Sequence, residues 1–202
     1  NYFIEAMREL TYEEGRSNVC QVALTYVLSP KFLGEQKSKA AQLGLRTLMA
    51  RGIQPDVIAC RCDSLVSEKI REKISLSANV PFERVVSVHD SPSIYLIPDL
   101  LEKSRIDEQI VDLLGLRHKV KNDYVARDEW DKYVQKILAP KKEITVAITG
   151  KYTSLRDSYA SILKSLEHAG THNGVHVKVT WVDTTELSEN EVAQKLQGVQ
   201  GI

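Results

Sequence analysis

The sequence predicts an α/β fold: a parallel sheet with helices packed on both faces, followed by the start of a second α/β unit. Two observations lead to it. Short apolar, β-branched runs alternate with helical stretches along the first half of the chain, which is the rhythm of βαβ crossovers. The same rhythm restarts after the helix breaker Pro140.

Val19 to Val27 is a nearly unbroken apolar run, expected to be a strand buried on both faces. After a loop holding Pro30 and Gly34, Ala40 to Ala50 carries Leu43, Leu45, Leu48 and Met49 at helical spacing and stops at Gly52. Asp56 to Cys60 reads as a second strand, Ser67 to Leu76 as a helix and Arg84 to Val88 as a third strand. Pro98 opens a helical region with Ile106, Ile110, Leu113 and Leu114 on one face, closed by Gly115. Lys119 to Asp128 is polar and aperiodic and reads as a connection. Arg127 to Leu138 is a helix whose apolar side holds Trp130, Val134, Ile137 and Leu138. Pro140-Lys141-Lys142 ends it and reads as a hinge. A further βαβ unit follows: strand Ile144 to Thr149, turn Gly150-Lys151-Tyr152, helix Asp157 to His168 and strand His176 to Val182, then a helix from Glu189 to Leu196. So small a unit has too little core to be a domain, and a truncated second domain is expected. The opening Asn1-Tyr2-Phe3-Ile4-Glu5 has neither an initiator Met nor a basic lead-in, so we expect a chain cut inside a fold.

Lys and Arg total 27, as do Asp and Glu. Zero net charge argues against duplex DNA or an anionic membrane as a bulk partner, and no apolar run approaches the roughly 18 residues of a span. Cys20, Cys60 and Cys62 fit neither a disulfide framework nor a zinc spacing; Cys60 and Cys62 are expected reduced, on opposite faces of their strand.

The most informative stretch is Gly34-Glu35-Gln36-Lys37-Ser38-Lys39-Ala40-Ala41-Gln42, after a strand and directly before a helix. Two lysines beside the free N–H groups of a helix start make a phosphate site, at the sheet end where open α/β folds bind ligands. A solvated Lys-Ser-Lys turn has the same composition. The segment resembles the G-E-x-K-T-K-P-T-Q motif of CTP synthases, with Ala40 and Ala41 in place of Pro and Thr.

Further stretches resemble that family in family order. Phe3-Ile4-Glu5-Ala6-Met7-Arg8 resembles its F-[IL]-E-A-x-R helix, Asp56 to Arg61 its P-D-x-x-x-C-R strand, and Val88-His89-Asp90-Ser91 with Ser93-Ile94-Tyr95 its adenine loop. Leu76-Ser77-Ala78-Asn79-Val80 departs from the family's F-C-[NH]-V. Ile148-Thr149-Gly150-Lys151-Tyr152, with Asp157-Ser158-Tyr159 and Leu166-Glu167-His168, resembles the opening of its glutamine amidotransferase domain.

The resemblance implies residues 1–118 from the later part of a P-loop, dethiobiotin-synthetase-like amidoligase domain, a connection at 119–142, and the start of an amidotransferase domain at 143–202. It implies ATP-dependent amination of UTP to CTP with ammonia from glutamine. Lys37, Ser38, Lys39, Gln42 and Lys73 would hold UTP or CTP, joined by Glu5 and Arg8 from a neighbouring subunit. Arg61, His89, Asp90 and Ser91 would line the ATP site, and Gly150, Lys151 and Tyr152 the face between the two activities. Without the resemblance, Lys69 and Lys73, or Glu5 and Arg8, read as solvated helix faces. His89 is read as lacking a nearby serine, cysteine or histidine, so no general-base role is expected.

The resemblance also implies a cytoplasmic tetramer able to form filaments, regulated by GTP, with Mg2+ accompanying ATP. The chain holds no G-x-x-x-x-G-K-[ST] and no cysteine beyond Cys62. No catalytic or metal-binding residue is therefore assigned within it, and the chain alone is expected to be inactive. A non-catalytic relative that binds nucleotides or builds oligomers is the alternative, supported by Ala40, Ala41 and the Ser77-Ala78 replacement. A stand-alone α/β interaction module fits the composition but not the ordered matches.

Overall fold

A computed structural model describes residues 2–30, 32, 34–121, 124–140, 142–185 and 187–202. They divide into two compact units, Asn1–Lys121 and Asn122–Ile202.

In the first unit the elements are α1 (Tyr2–Glu14), β1 (Val22–Tyr26), α2 (Lys39–Ala50), β2 (Val57–Cys62), α3 (Glu68–Ala78), β3 (Val85–His89), α4 (Ile97–Lys103) and α5 (Ile106–Leu113). The strands form one parallel sheet in the order β1-β2-β3, with Ala23 opposite Ile58 and Ile58 opposite Val85. On one face Ala23, Ile58, Cys60, Cys62 and Val85 pack against Ala41 and Leu45 of α2 and Ile70 and Ile74 of α3. On the other, Val57 and Val86 pack against Ile106 of α5. Both faces of β2 are thus covered, as expected for a parallel strand.

β1 differs from expectation. It spans Val22–Tyr26 rather than 19–27, and Val22, Leu24 and Tyr26 are exposed. The helices covering the second face lie over β2 and β3, so the alternate residues of β1 face outward. Leu43 is exposed too, because the buried stripe of α2 runs through Ala41, Leu45 and Leu48. Cys60 and Cys62 lie on the same face, both in the α2/α3 core; residues two apart in a strand share a side, which corrects the expectation of opposite faces. The helical region opened by Pro98 is two helices, broken at Ser104 and at Arg105, whose φ is +57°.

α3 ends at Asn79 in the left-handed conformation, a role Asn tolerates. The hydroxyl of Ser77 is buried there with no hydrogen-bond partner, at the stretch that departs from the F-C-[NH]-V pattern.

Burial pushes the Cys60 thiol from 9.0 to about 12. A raised thiol pKa gives stability that is fully present below the ordinary value and is lost as pH rises through the folded one. We expect Cys60 to resist thiol reagents at pH 8 until the chain is unfolded, and stability to fall between about pH 9 and 12. Rapid native-state labelling of Cys60 would contradict its burial.

The second unit holds α6 (Tyr124–Leu138), β4 (Lys142–Gly150), α7 (Ala160–Asn173), β5 (Val175–Asp183) and α8 (Glu189–Lys195). α6 begins three residues before the expected Arg127; residues 122 and 123 of the expected connection, and Lys141 of the expected hinge, lie outside the described residues. Val134 is buried on α6, but Leu138 is exposed at its end. β4 and β5 pair in parallel, Ile144 opposite Val177. The last residues run along the other edge of β4: Ala147 N–H donates to Gly201 O at 2.8 Å, and Gln200 N–H to Thr145 O at 2.8 Å. α7 lies close on β5 at Gly170, where a Cβ would come within 2.7 Å of Val175 O. Only glycine allows that approach.

Candidate functional site

β1, β2 and β3 end on one side of the sheet, where parallel strands leave their loops. The loop after β1 returns to the strand line: Lys37 N–H donates to Leu28 O at 2.8 Å, and Leu28 N–H to Lys37 O at 3.3 Å. Gln36 ties this loop to the turn after β2. Its amide nitrogen donates to Leu65 O at 2.8 Å and Ser64 Oγ at 3.3 Å, and its carbonyl accepts from Ser67 N–H at 2.9 Å at the start of α3. Nothing in the sequence singled out Gln36, because its partners lie about 30 residues away.

Between loop and turn lies a cleft of about 650 Å³, lined by Glu35, Gln36, Asp63, Lys69 and Lys73 among others. The Glu35 carboxylate pairs with the Lys37 ammonium. That ion pair, together with the charges of Lys69 and Lys73, holds Glu35 below the usual carboxylate range. Lys69 and Lys73 stand one turn apart on the same side of α3.

Lys73 thus lines the same cleft as Glu35, while Lys37 is joined to the cleft through its ion pair with Glu35 and is not itself in the lining. Lys39 is the first residue of α2, exposed and outside the cleft lining. Ser38 is buried and accepts from the Gln42 side-chain amide at 2.9 Å, leaving the first turn of α2 without a side-chain cap. Ala41 is 1% exposed and packed in the core. A Thr hydroxyl at position 41 would thus lie on the core side. Glu5 and Arg8 pair with each other on α1 at 2.6 Å. Arg8 lies over Gly52, just past the far end of α2, so within one chain they are about 17 Å or more from the Lys37 end.

A second group sits at the ends of β2 and β3. Arg61 donates to Cys62 O at 2.7 Å and Val88 O at 3.4 Å and pairs with Asp90. The guanidinium plane is fixed from one edge. Tyr26 donates its hydroxyl to Asp63 at 2.5 Å. His89 Nδ1 lies 3.2 Å from Ser87 Oγ, which corrects the reading that no serine stands near it; the same hydroxyl oxygen accepts from Val66 N–H at 3.0 Å. Ser91 is half-buried.

In the second unit the turn after β4 places Tyr152 in the left-handed region at φ +60°, exposed, and Lys151 O accepts from the Tyr159 hydroxyl at 2.8 Å. Gly150 O accepts from Thr184 N–H at 3.1 Å. His168 on α7 stacks edge-on against Tyr133 of α6, ring centroids 6.5 Å apart.

A family model described as CTP synthase N-terminus matches residues 1–116. CTP synthase of Pyrococcus abyssi is 40% identical over 200 residues, covering 99% of this chain and 36% of that protein. CTP synthase of Methanopyrus kandleri is 40% identical over 202 residues, and that of Synechococcus sp. 36% over 200, at 99% of this chain and 37% and 36% of the relatives. The chain spans about a third of the length of these relatives. With a family match over more than half its length and relatives aligned along nearly all of it, the chain belongs to the CTP synthase family.

Proposed function

We propose that the full protein to which this chain belongs aminates UTP to CTP, using ATP and ammonia released from glutamine, and that this chain supplies part of its nucleotide-binding wall. In this reading Lys37, Lys39 and Lys73 hold the triphosphate of UTP, or of CTP acting as inhibitor. Ser38 and Gln42 shape the start of α2 beside it. Glu5 and Arg8 reach the same nucleotide from a neighbouring subunit of a homotetramer, which also builds filaments. Arg61 offers its flat face to adenine, with His89, Asp90 and Ser91 alongside. Gly150, Lys151 and Tyr152 face the partner activity, and GTP regulates the coupling in the cytoplasm.

The observation that supports this reading is a cleft at the carboxyl end of a parallel sheet lined by Lys69, Lys73 and Glu35, the last paired with Lys37. A triphosphate brings about four negative charges and gains charge-assisted hydrogen bonds from such ammonium groups. Magnesium travels with ATP and draws the charge of its phosphates. Among the described residues no three His, Cys, Asp or Glu side chains come together to hold it. Its ligands are assigned, in this reading, to the rest of the protein.

The test is binding of UTP, CTP and ATP to the full-length parent. Lys37→Ala and Lys73→Ala are each expected to weaken UTP and CTP by about 10- to 100-fold, the worth of one hydrogen bond to a charged group, with ATP little changed. Unaltered UTP and CTP binding in both variants would overturn the site assignment. The 202-residue chain alone is expected to form no CTP.

A further inference from the structure

We propose that Lys69 is a further cation of the polyphosphate cleft and that Glu35 is its internal counter-anion, displaced when the phosphate tail enters. The inference rests on the reading above that a pyrimidine triphosphate occupies this cleft.

Three placements carry it. Lys69 and Lys73 both line the cleft from one side of α3, one turn apart, about 6 Å along the axis. Among the described residues neither ammonium makes a hydrogen bond or an ion pair, so both are available to a ligand. Glu35 lines the same cleft from the loop after β1 and is bonded to Lys37. Asp63, the other carboxylate in the lining, is already engaged by the Tyr26 hydroxyl at 2.5 Å. Lys69 and Lys73 thus share a cleft with a carboxylate whose own hydrogen-bond partner is another lysine, Lys37.

A carboxylate at such a centre does two things. It offsets part of the repulsion among three ammonium groups while the cleft is free of ligand. It also competes with an incoming phosphate for Lys37 and repels it. Binding is then an exchange: the tail takes Lys37 from Glu35 and meets Lys69 and Lys73 from α3. No covalent step is involved. Because the lysines respond to charge and not to the base, their effect should grow with the number of phosphates. A residue that merely braces α3 would weaken UTP, UDP and UMP alike.

The experiment measures binding of UTP, UDP, UMP and inorganic tripolyphosphate to the full-length parent over a range of salt. Lys69→Ala is expected to weaken UTP and tripolyphosphate about tenfold, UDP less and UMP hardly, with a shallower salt dependence; Lys69→Arg should restore most of it. Glu35→Gln is expected to tighten UTP about fivefold, the scale of an exposed ion pair removed from competition. Loss of UTP affinity in Lys73→Ala with no change in Lys69→Ala, or weaker UTP binding in Glu35→Gln, overturns this inference and leaves the proposed function standing. Unchanged UTP binding in Lys37→Ala and Lys73→Ala overturns both.

Discussion

Replacing Ile58 with Ala is expected to destabilise the first unit by about 2–5 kcal/mol, the range for truncating a fully buried isoleucine. Ile58 is 0% exposed at the centre of β2. It pairs with Ala23 of β1 on one side and Val85 of β3 on the other, and joins the core against α2 and α3. Small neighbours such as Ala23 and Ala41 cannot spread to fill the void. The two units allow an internal control. Trp130 and Trp181, the chain's two tryptophans, both lie in the second unit, so tryptophan fluorescence reports that unit while far-UV circular dichroism reports both. The dichroism transition should move to lower urea while the fluorescence transition holds. A fluorescence transition shifting equally would mean that the units unfold together, and no shift in either would remove Ile58 from the core.

Gln36→Ala is expected to loosen the cleft itself. It removes the bonds to Leu65 O and Ser64 Oγ and the acceptor for Ser67 N–H at the first turn of α3. At about 0.5–1.5 kcal/mol each, three bonds amount to roughly 1.5–4.5 kcal/mol of local ordering. The loop carrying Glu35 and Lys37 would then separate from the helix carrying Lys69 and Lys73. Hydrogen exchange at Ser67 N–H should accelerate, and UTP affinity of the full-length parent should fall about tenfold with every lysine still in place. Unchanged exchange at Ser67 would show that Gln36 does not tie the two segments.

The cation cluster was legible in part. The Lys37 segment stood out because a strand, a lysine-rich loop and a helix start follow one another in sequence. Lys73 came only through the family resemblance, since Glu68 to Lys73 reads as a solvated helix face. Glu35 and Gln36 carry no local signal inside that segment, and the contact of His89 with Ser87 is one that the period-2 alternation of β3 allows.

By itself the sequence determined which segments are strands and helices, their alternation and hence the parallel sheet, because hydrophobic period and Gly/Pro punctuation are local properties. It also carried the family. The tertiary structure alone decided which faces are covered, leaving Val22, Leu24 and Tyr26 of β1 open. It alone turned Ala41 into the core and set Lys69 and Lys73 in one cleft with Glu35, the partner of Lys37. Those outcomes depend on contacts between residues more than 30 positions apart, set by which helix packs over which strand, and no local pattern of side chains encodes that choice.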